Sequence, residues 1–255
     1  MLTVHQLPAF SDNFIYVLLD AANGVGTVID PGDAEPVLQA VQANGWRLNQ
    51  IWATHHHADH IGGALELKQK LGLEFLGAAR DAERMPGLDR GLDEGQRLRL
   101  GRHEAQVLGV PGHTLGHLAY WFEDERMLFC GDTLFGLGCG RLFEGTPETM
   151  WSSLRRIKAL PGETLVYCAH EYTLANARFA LTIEPGNQAL LQRIEDCKAL
   201  RHRGLSTVPF RLDLDLATNP FLRADRPEVA AAVGMQGAPP EQVFAHIRRL
   251  KDDFK

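Results

Sequence analysis

Hydrophobic and polar positions change rhythm along the chain, and each change marks a different kind of element. Near the N-terminus the period is short. Residues 2–7 alternate weakly, 14–19 are apolar and β-prone, and 27–29 return after Asn23-Gly24, a strong hairpin signal. Asp30-Pro31-Gly32 breaks that strand. Asp33 is placed to cap a helix over about 34–44, with Val37, Leu38 and Val41 on one face and Gly45 just past its end. A strand over 48–53 and a short helix over 62–71 follow, the helix with Leu65, Leu67 and Leu71 as its apolar face. Residues 74–77 predict another strand. The polar stretch 78–94, rich in Arg, Asp and Gly, predicts a surface loop or short helix.

From Arg97 the pattern favours strands over 97–100, 104–110, 117–122 and 127–130, with a polar turn at 123–126. Thr146-Pro147-Glu148 then starts a helix: a hydroxyl cap, Pro in the first turn and an acid beside it. Trp151, Leu154, Ile157 and Leu160 give that helix a buried stripe, and Pro161-Gly162 ends it. Residues 164–169 form the last predicted strand. Beyond Thr173 the pattern predicts helices alone, over 174–183, 189–202 and 242–251. The expected domains are therefore 1–170, mixing strands and helices, and 171–255, helical. Hairpin-linked strands argue against an all-parallel sheet, and two mixed sheets with helices outside would bury them.

Composition changes this picture little. The chain has 255 residues and ordinary hydrophobic and charged fractions, enough for a sizeable core. Its formal net charge of −6 gives a nucleic-acid partner no global electrostatic support. The first residues lack a basic region followed by an apolar run, and no apolar stretch is long enough to span a bilayer. Cys130, Cys139, Cys168 and Cys197 form no CxxC pair, so reduced thiols in the cytoplasm are the simpler expectation.

Chemistry concentrates in Thr54-His55-His56-His57-Ala58-Asp59-His60, a loop between a predicted strand and a predicted helix. Imidazole and carboxylate are the ligands that zinc, iron and manganese accept, and a core or surface has no use for such density. Two metal ions are the expectation. Further candidates stand at predicted strand ends: His113 in Pro111-Gly112-His113-Thr114, Asp132 in Cys130-Gly131-Asp132-Thr133, and His170 before Glu171-Tyr172. Their bland alternatives are a structural histidine for His113 or His170, a helix cap for Asp59 and a turn for Asp132. Those alternatives serve for each residue alone and fit the whole set poorly. His117 is read as structural.

The run His55-x-His57-x-Asp59-His60 followed by His113, Asp132 and His170 resembles the metallo-β-lactamase superfamily. The resemblance implies an αββα sandwich of two mixed β-sheets flanked by helices. It implies His55, His57 and His113 on one metal, Asp59, His60 and His170 on the other, Asp132 bridging both, and His56 outside the ligand set. It makes Asp30 a partner that orients a ligand; an Asp-Pro-Gly turn is the equal alternative. Zinc is the expected metal, with iron or manganese as alternatives. A hydroxide held by the pair would be the nucleophile, with Asp59 and Asp132 as the catalytic carboxylates.

A finer resemblance covers nearly the whole chain. Phe10-Ser11-Asp12-Asn13-Phe14-Ile15-Tyr16, Gly138-Cys139-Gly140-Arg141-Leu142-Phe143-Glu144-Gly145, His170-Glu171-Tyr172-Thr173, Asn219-Pro220-Phe221-Leu222-Arg223 and the run from Ile247 to Lys255 are similar to the glyoxalase II (hydroxyacylglutathione hydrolase) family. This implies hydrolysis of the thioester S-D-lactoylglutathione by a cytoplasmic monomer, with no nucleic-acid or membrane partner. Glutathione contacts in the family fall on positions matching Arg141, Phe143, Tyr172, Arg248 and Lys251. Arg141 stands where the family also uses Lys, and Phe143 where some relatives have Tyr, which removes one hydroxyl. Three other readings compete: a single-iron sulfur dioxygenase of the same superfamily, a metal-dependent nuclease, and a structural metal module. The complete second ligand set and helical tail oppose the first, the acidic charge the second, and the open ligand set the third.

Overall fold

The structure, a computed structural model, describes residues 2–254; Met1 and Lys255, the outer ends of two of the stretches above, lie outside the described residues. Two compact units divide the chain. One runs to Gly109 and resumes over Gly116–Gly131; the other comprises Val110–Leu115 and the chain from Asp132 onward.

The first unit opens with strands β1 (Leu2–Ala9), β2 (Asn13–Asp20) and β3 (Val25–Ile29), antiparallel to one another. The expected hairpin at Asn23-Gly24 joins β2 to β3, with Gly24 in the left-handed region (φ 61°). Helix α1 (Glu35–Asn44) follows, and its start is secured as expected by Asp33, whose Oδ1 accepts the Glu35 amide at 3.0 Å. Strand β4 (Gln50–Trp52) adds in parallel to β3, then comes the single-turn helix α2 (Ala58–Ile61) and helix α3 (Ala64–Leu71). In α3 Leu67 is buried but Leu65 is 42% exposed, so the expected apolar face is narrower than the leucine spacing suggested.

Strands β5 (Glu74–Ala78) and β6 (Arg90–Leu92) complete a mixed six-stranded sheet in sequence order. The polar stretch 78–94, expected to be a surface loop or short helix, holds a short 3-10 helix over Ala79–Arg84 and then the unexpected strand β6. Strands β7 (Arg97–Leu100), β8 (His103–Gly109), β9 (Leu118–Phe122) and β10 (Met127–Gly131) form an antiparallel meander. The meander packs face to face on the first sheet. Trp52 lies 5.2 Å from the Tyr120 ring and stacks on Phe122 at 6.0 Å, and Tyr16 meets Phe129 edge-on at 5.4 Å. Burial of such aromatic area is the main stabilising term in the unit.

The second unit carries a two-stranded ribbon, β11 (Leu134–Phe135) with β12 (Gly138–Cys139), and an antiparallel pair, β13 (Leu165–Cys168) with β14 (Phe210–Arg211). Strand β14 was not expected, since two residues give no periodicity to read. Helix α4 (Pro147–Lys158) starts as predicted, with the Thr146 hydroxyl accepting the Thr149 amide at 3.3 Å. Helices α5 (Thr173–Ile183), α6 (Gln188–His202), α7 (Leu212–Thr218), α8 (Pro227–Ala232) and α9 (Pro240–Asp253) complete the unit. The short α7 and α8 were not predicted. Trp151 of α4 packs on Phe244 of α9, and Phe244 and Phe179 of α5 both meet Phe221 in the turn after α7, joining three helices and that turn in one aromatic core.

Candidate metal centre and thioester-binding residues

In the first unit the ligand-rich loop is tied down at Thr54 and His60 by the carboxylate of Asp30. Asp30 follows β3 with a left-handed backbone (φ 52°). Its Oδ1 accepts the Thr54 amide at 2.7 Å, and its Oδ2 accepts the Thr54 hydroxyl at 2.7 Å and faces His60 Nδ1 at 3.0 Å. A carboxylate on Nδ1 fixes the imidazole tautomer and leaves Nε2 as the ligand atom. Gly32 lets the two segments close up, because a Cβ there would collide with the Asp59 carbonyl. The expected Asp-Pro-Gly break and the expected orienting role thus describe the same residue.

His55 is fully buried, and His57 precedes α2 in an extended conformation. Their Nε2 and Nδ1 atoms face each other at 3.0 Å, about the spacing of two nitrogens that share one ion. Asp59 and His60 lie in the single turn of α2, with Asp59 Oδ2 3.5 Å from His60 Nε2. His56 turns elsewhere, its Nδ1 3.1 Å from Asp81 Oδ2. That pairing draws His56 to a carboxylate apart from Asp59 and Asp30.

Two further supports stand behind the loop, Asn13, whose role had no clear signal in the sequence, and His117, read there as structural. Asn13 donates from Nδ2 to Asp59 Oδ2 at 3.1 Å, and the buried His117 ring stacks on His55 at 4.6 Å. The Tyr120 hydroxyl donates to the Ala53 carbonyl at 2.6 Å, bracing the strand end before the loop. Burial, then the charge of Asp30, pushes that phenol well above the ordinary tyrosine value, so it remains a donor.

In the second unit Asp132 sits between two histidines. Its Oδ2 is 3.4 Å from His113 Nε2 and its Oδ1 is 3.3 Å from His170 Nε2. His113 is oriented from behind, where its Nδ1 meets the Arg141 carbonyl at 2.8 Å. His170 stacks on Tyr172 (4.7 Å, 7° between planes), and Phe143 meets the His113 ring edge-on at 5.2 Å. Phe143 is 60% exposed, a large apolar ring left open to solvent.

The cationic candidates differ among themselves. The Arg141 side chain is 64% exposed, with Nε 3.8 Å from Asp252 Oδ1. Arg248 is buried: it donates to the Cys139 carbonyl at 3.1 Å and to Asp252 Oδ1 at 2.9 Å, and lies over the Phe221 ring. Lys251 lies over the Phe179 and Phe254 rings at 5.7 and 5.6 Å. Desolvation, then the charges of Arg248 and Arg178, holds its ammonium below the ordinary lysine value, against the opposing pull of Asp252.

Comparison with known proteins identifies this arrangement. Residues 12–170 match the metallo-beta-lactamase superfamily, and residues 171–254 match the hydroxyacylglutathione hydrolase C-terminus. The chain is 56% identical over its full length to the full length of a hydroxyacylglutathione hydrolase from Methylococcus capsulatus. The chain belongs to the hydroxyacylglutathione hydrolase family. A second relative of that name, from Rhodospirillum rubrum, is 53% identical over 99% of each chain. Among solved structures, ETHE1 from Myxococcus xanthus matches 99% of this chain and 92% of its own with a TM-score of 0.71; at 24% identity that likeness carries the fold alone. TTHA1623, solved in a di-iron-bound form, is 30% identical over 66% of this chain and 91% of its own, with a TM-score of 0.58. The expected metallo-β-lactamase fold, two mixed sheets flanked by helices, and the expected C-terminal helical region are both borne out. The family and the His/Asp clusters together establish a divalent metal site.

Proposed function

We propose that the chain hydrolyses S-D-lactoylglutathione, and related S-2-hydroxyacylglutathiones, to the 2-hydroxy acid and glutathione, the second step of methylglyoxal detoxification. The observation that carries this reading is the full-length match to hydroxyacylglutathione hydrolases, including the C-terminal region 171–254. The donor set fits a pair of divalent ions, because imidazoles alone leave two dications uncompensated while Asp59 and Asp132 offset part of their charge. His55, His57 and His113 would hold one ion, Asp59, His60 and His170 the other, and Asp132 would be shared by both. The two Asp132 contacts, one histidine on each oxygen, support its bridging role. Zinc is the favoured metal, with iron or manganese as alternatives.

Two divalent ions, when bound, supply hydroxide at neutral pH and polarise the thioester carbonyl. The chain's own groups prepare that chemistry. Asp30 and the Arg141 carbonyl hold His60 and His113 with Nε2 presented. Asp59, whose Oδ2 accepts from Asn13 Nδ2, is the group placed to orient the attacking water or accept its proton. A C–O bond forms at the carbonyl carbon as the C–S bond breaks, and the sulfur leaves with the electron pair as glutathione thiolate. A thiolate is a good leaving group, so no protein acid is required.

Glutathione carries two carboxylates and one ammonium, and an acidic chain must meet it with local cations. Arg141, Lys251 and Arg248 supply them, with Phe143 and Tyr172 as flat surfaces for the peptide. Arg141 and Lys251 contact the ligand, while Arg248 acts mainly by shaping the site, as its buried bonds to Cys139 and Asp252 support. All four cysteines are buried and form no disulfide, which supports the reducing cytoplasm as the compartment proposed, and a monomer is the state proposed. The test is free-thiol release from S-D-lactoylglutathione by the metal-loaded protein. Thiol release that stops on chelation is expected. No release, or oxygen consumption with glutathione persulfide instead, overturns the reading.

A further inference from the structure

We propose that Asn219, with Asn176 beside it, is a positioning residue for glutathione-thioester binding, acting through the β11–β12 ribbon; this rests on the hydrolase reading above. The ribbon pairs Leu134 with Cys139 and Phe135 with Gly138, around a turn at Gly136-Leu137. Arg141 lies two residues after it, so the ribbon's placement carries through to an exposed cation, whereas Asp132, two residues before it, is fixed independently between two histidines. Arg141 also supplies the carbonyl that orients His113.

The ribbon's backbone is caught by side chains from the helical part of the unit. Asn219 Nδ2 lies within hydrogen-bond distance of three acceptors, the Phe135 carbonyl at 3.3 Å, the Gly138 carbonyl at 3.0 Å and Asp215 Oδ2 at 2.9 Å, so it ties the ribbon to the carboxylate that also accepts the Leu137 amide. Asn176 Nδ2 donates to the Gly136 carbonyl at 3.1 Å. Asp215 Oδ1 accepts the amide of Leu137, whose backbone is left-handed (φ 60°), and Arg248 donates to the Cys139 carbonyl. Consecutive residues 135–139 thus each have a main-chain group held by one of four polar side chains. The Asn219 amide has one orientation here, because its Oδ1 accepts the Phe221 amide at 3.0 Å and turns Nδ2 to the ribbon. Asn219 is fully buried and Asn176 is 8% exposed. Burying such groups costs stability unless their bonds are made, and an apolar core would hold helices together without them. What they add is a fixed backbone position for a segment with little regular structure.

Asp215 is a poor probe, because its loss leaves the buried Arg193 charge without its carboxylate partner. The experiment therefore uses Asn219→Ala, Asn219→Asp and Asn176→Ala in the full metal-loaded chain. It reads steady-state kinetics, metal content and amide hydrogen exchange over 134–141. For Asn219→Ala, KM for S-D-lactoylglutathione is expected to rise roughly tenfold with kcat within about twofold, metal content unchanged and exchange over 134–141 accelerated. Asn176→Ala, which loses one bond, gives a smaller rise of about threefold. Asn219→Asp keeps the size and the Phe221 bond, loses the donors and sets a second carboxylate against Asp215 Oδ2, so its KM rises at least as far as that of the alanine variant. An unchanged KM in both alanine variants, or an Asp variant that restores KM, overturns the proposal and leaves these residues a packing role. Should Asn219→Ala fail to fold, Asn176→Ala decides by the same criteria. Should the wild-type chain release no thiol, the hydrolase reading fails, and the exchange rate over 134–141 then decides whether the amides hold the ribbon.

Discussion

His55, His57, Asp59 and His60 fall within six residues, and the distant carboxylate of Asp30 ties their loop down through Thr54 and His60. His113, Asp132 and His170 come instead from three separate strand ends, and one of their own number, Asp132, stands between the other two. The first set is ordered largely by local geometry, since the turn of α2 aligns Asp59 and His60 before any partner arrives. The second set is ordered by tertiary structure alone. Its orienting group is a main-chain carbonyl from Arg141 rather than a side chain. The comparison teaches that the support behind the first set can be removed by mutation, whereas the second is vulnerable chiefly at its shared carboxylate.

The largest expected effect follows from that vulnerability. Asp132→Ala removes the carboxylate facing both His113 and His170, and kcat/KM is expected to fall on the order of a thousandfold or more, with loss of bound metal. Steady-state kinetics with metal analysis check this; a variant that keeps full metal and most of its activity breaks the comparison. Asp30→Asn is milder, because its amide retains size and one acceptor but loses the charge behind His60. Metal affinity is expected to drop about 10–100-fold, measured by competition with a chelator. An effect as large as that of Asp132→Ala would show that the loop is no more buffered than the second set.

The cations sharpen the account further. Lys251→Ala is expected to raise KM about tenfold with little change in melting temperature, whereas Arg248→Ala lowers the melting temperature as well, because it empties a buried site bonded to Cys139 and Asp252. Equal thermal shifts would contradict that division. The smallest effect is in pH. With its ammonium held below the ordinary lysine value of about 10.4, Lys251 loses charge earlier on the alkaline side, so KM should begin to climb before a free lysine would titrate. Lys251→Arg keeps its charge throughout and should flatten that rise.

Legibility from sequence follows the same contrast. The loop 54–60 declares itself by density, and the cap at Thr146 and the hairpin at Asn23-Gly24 are local signals that the structure keeps. His113, Asp132 and His170 each have an ordinary alternative use, so their grouping depended on resemblance to a family. Asn13 and Asp81 carried no signal, because what matters is the neighbour that folding brings: Asp59 for one and His56 for the other. Strand β6 hid in a polar stretch since two of its three residues are exposed, and α7 and α8 were too short for periodicity to show. Arg248 and Lys251 read alike in sequence, three apart on one helix, and only burial separates them.

The most direct test of the central claim compares S-D-lactoylglutathione with the same lactoyl thioester of a short uncharged thiol such as N-acetylcysteamine. The metal-loaded chain should release thiol from both, with kcat/KM roughly a hundredfold higher for the glutathione ester, because the cationic residues engage only the tripeptide. Equal kcat/KM for the two esters, or no release from either, would contradict the account.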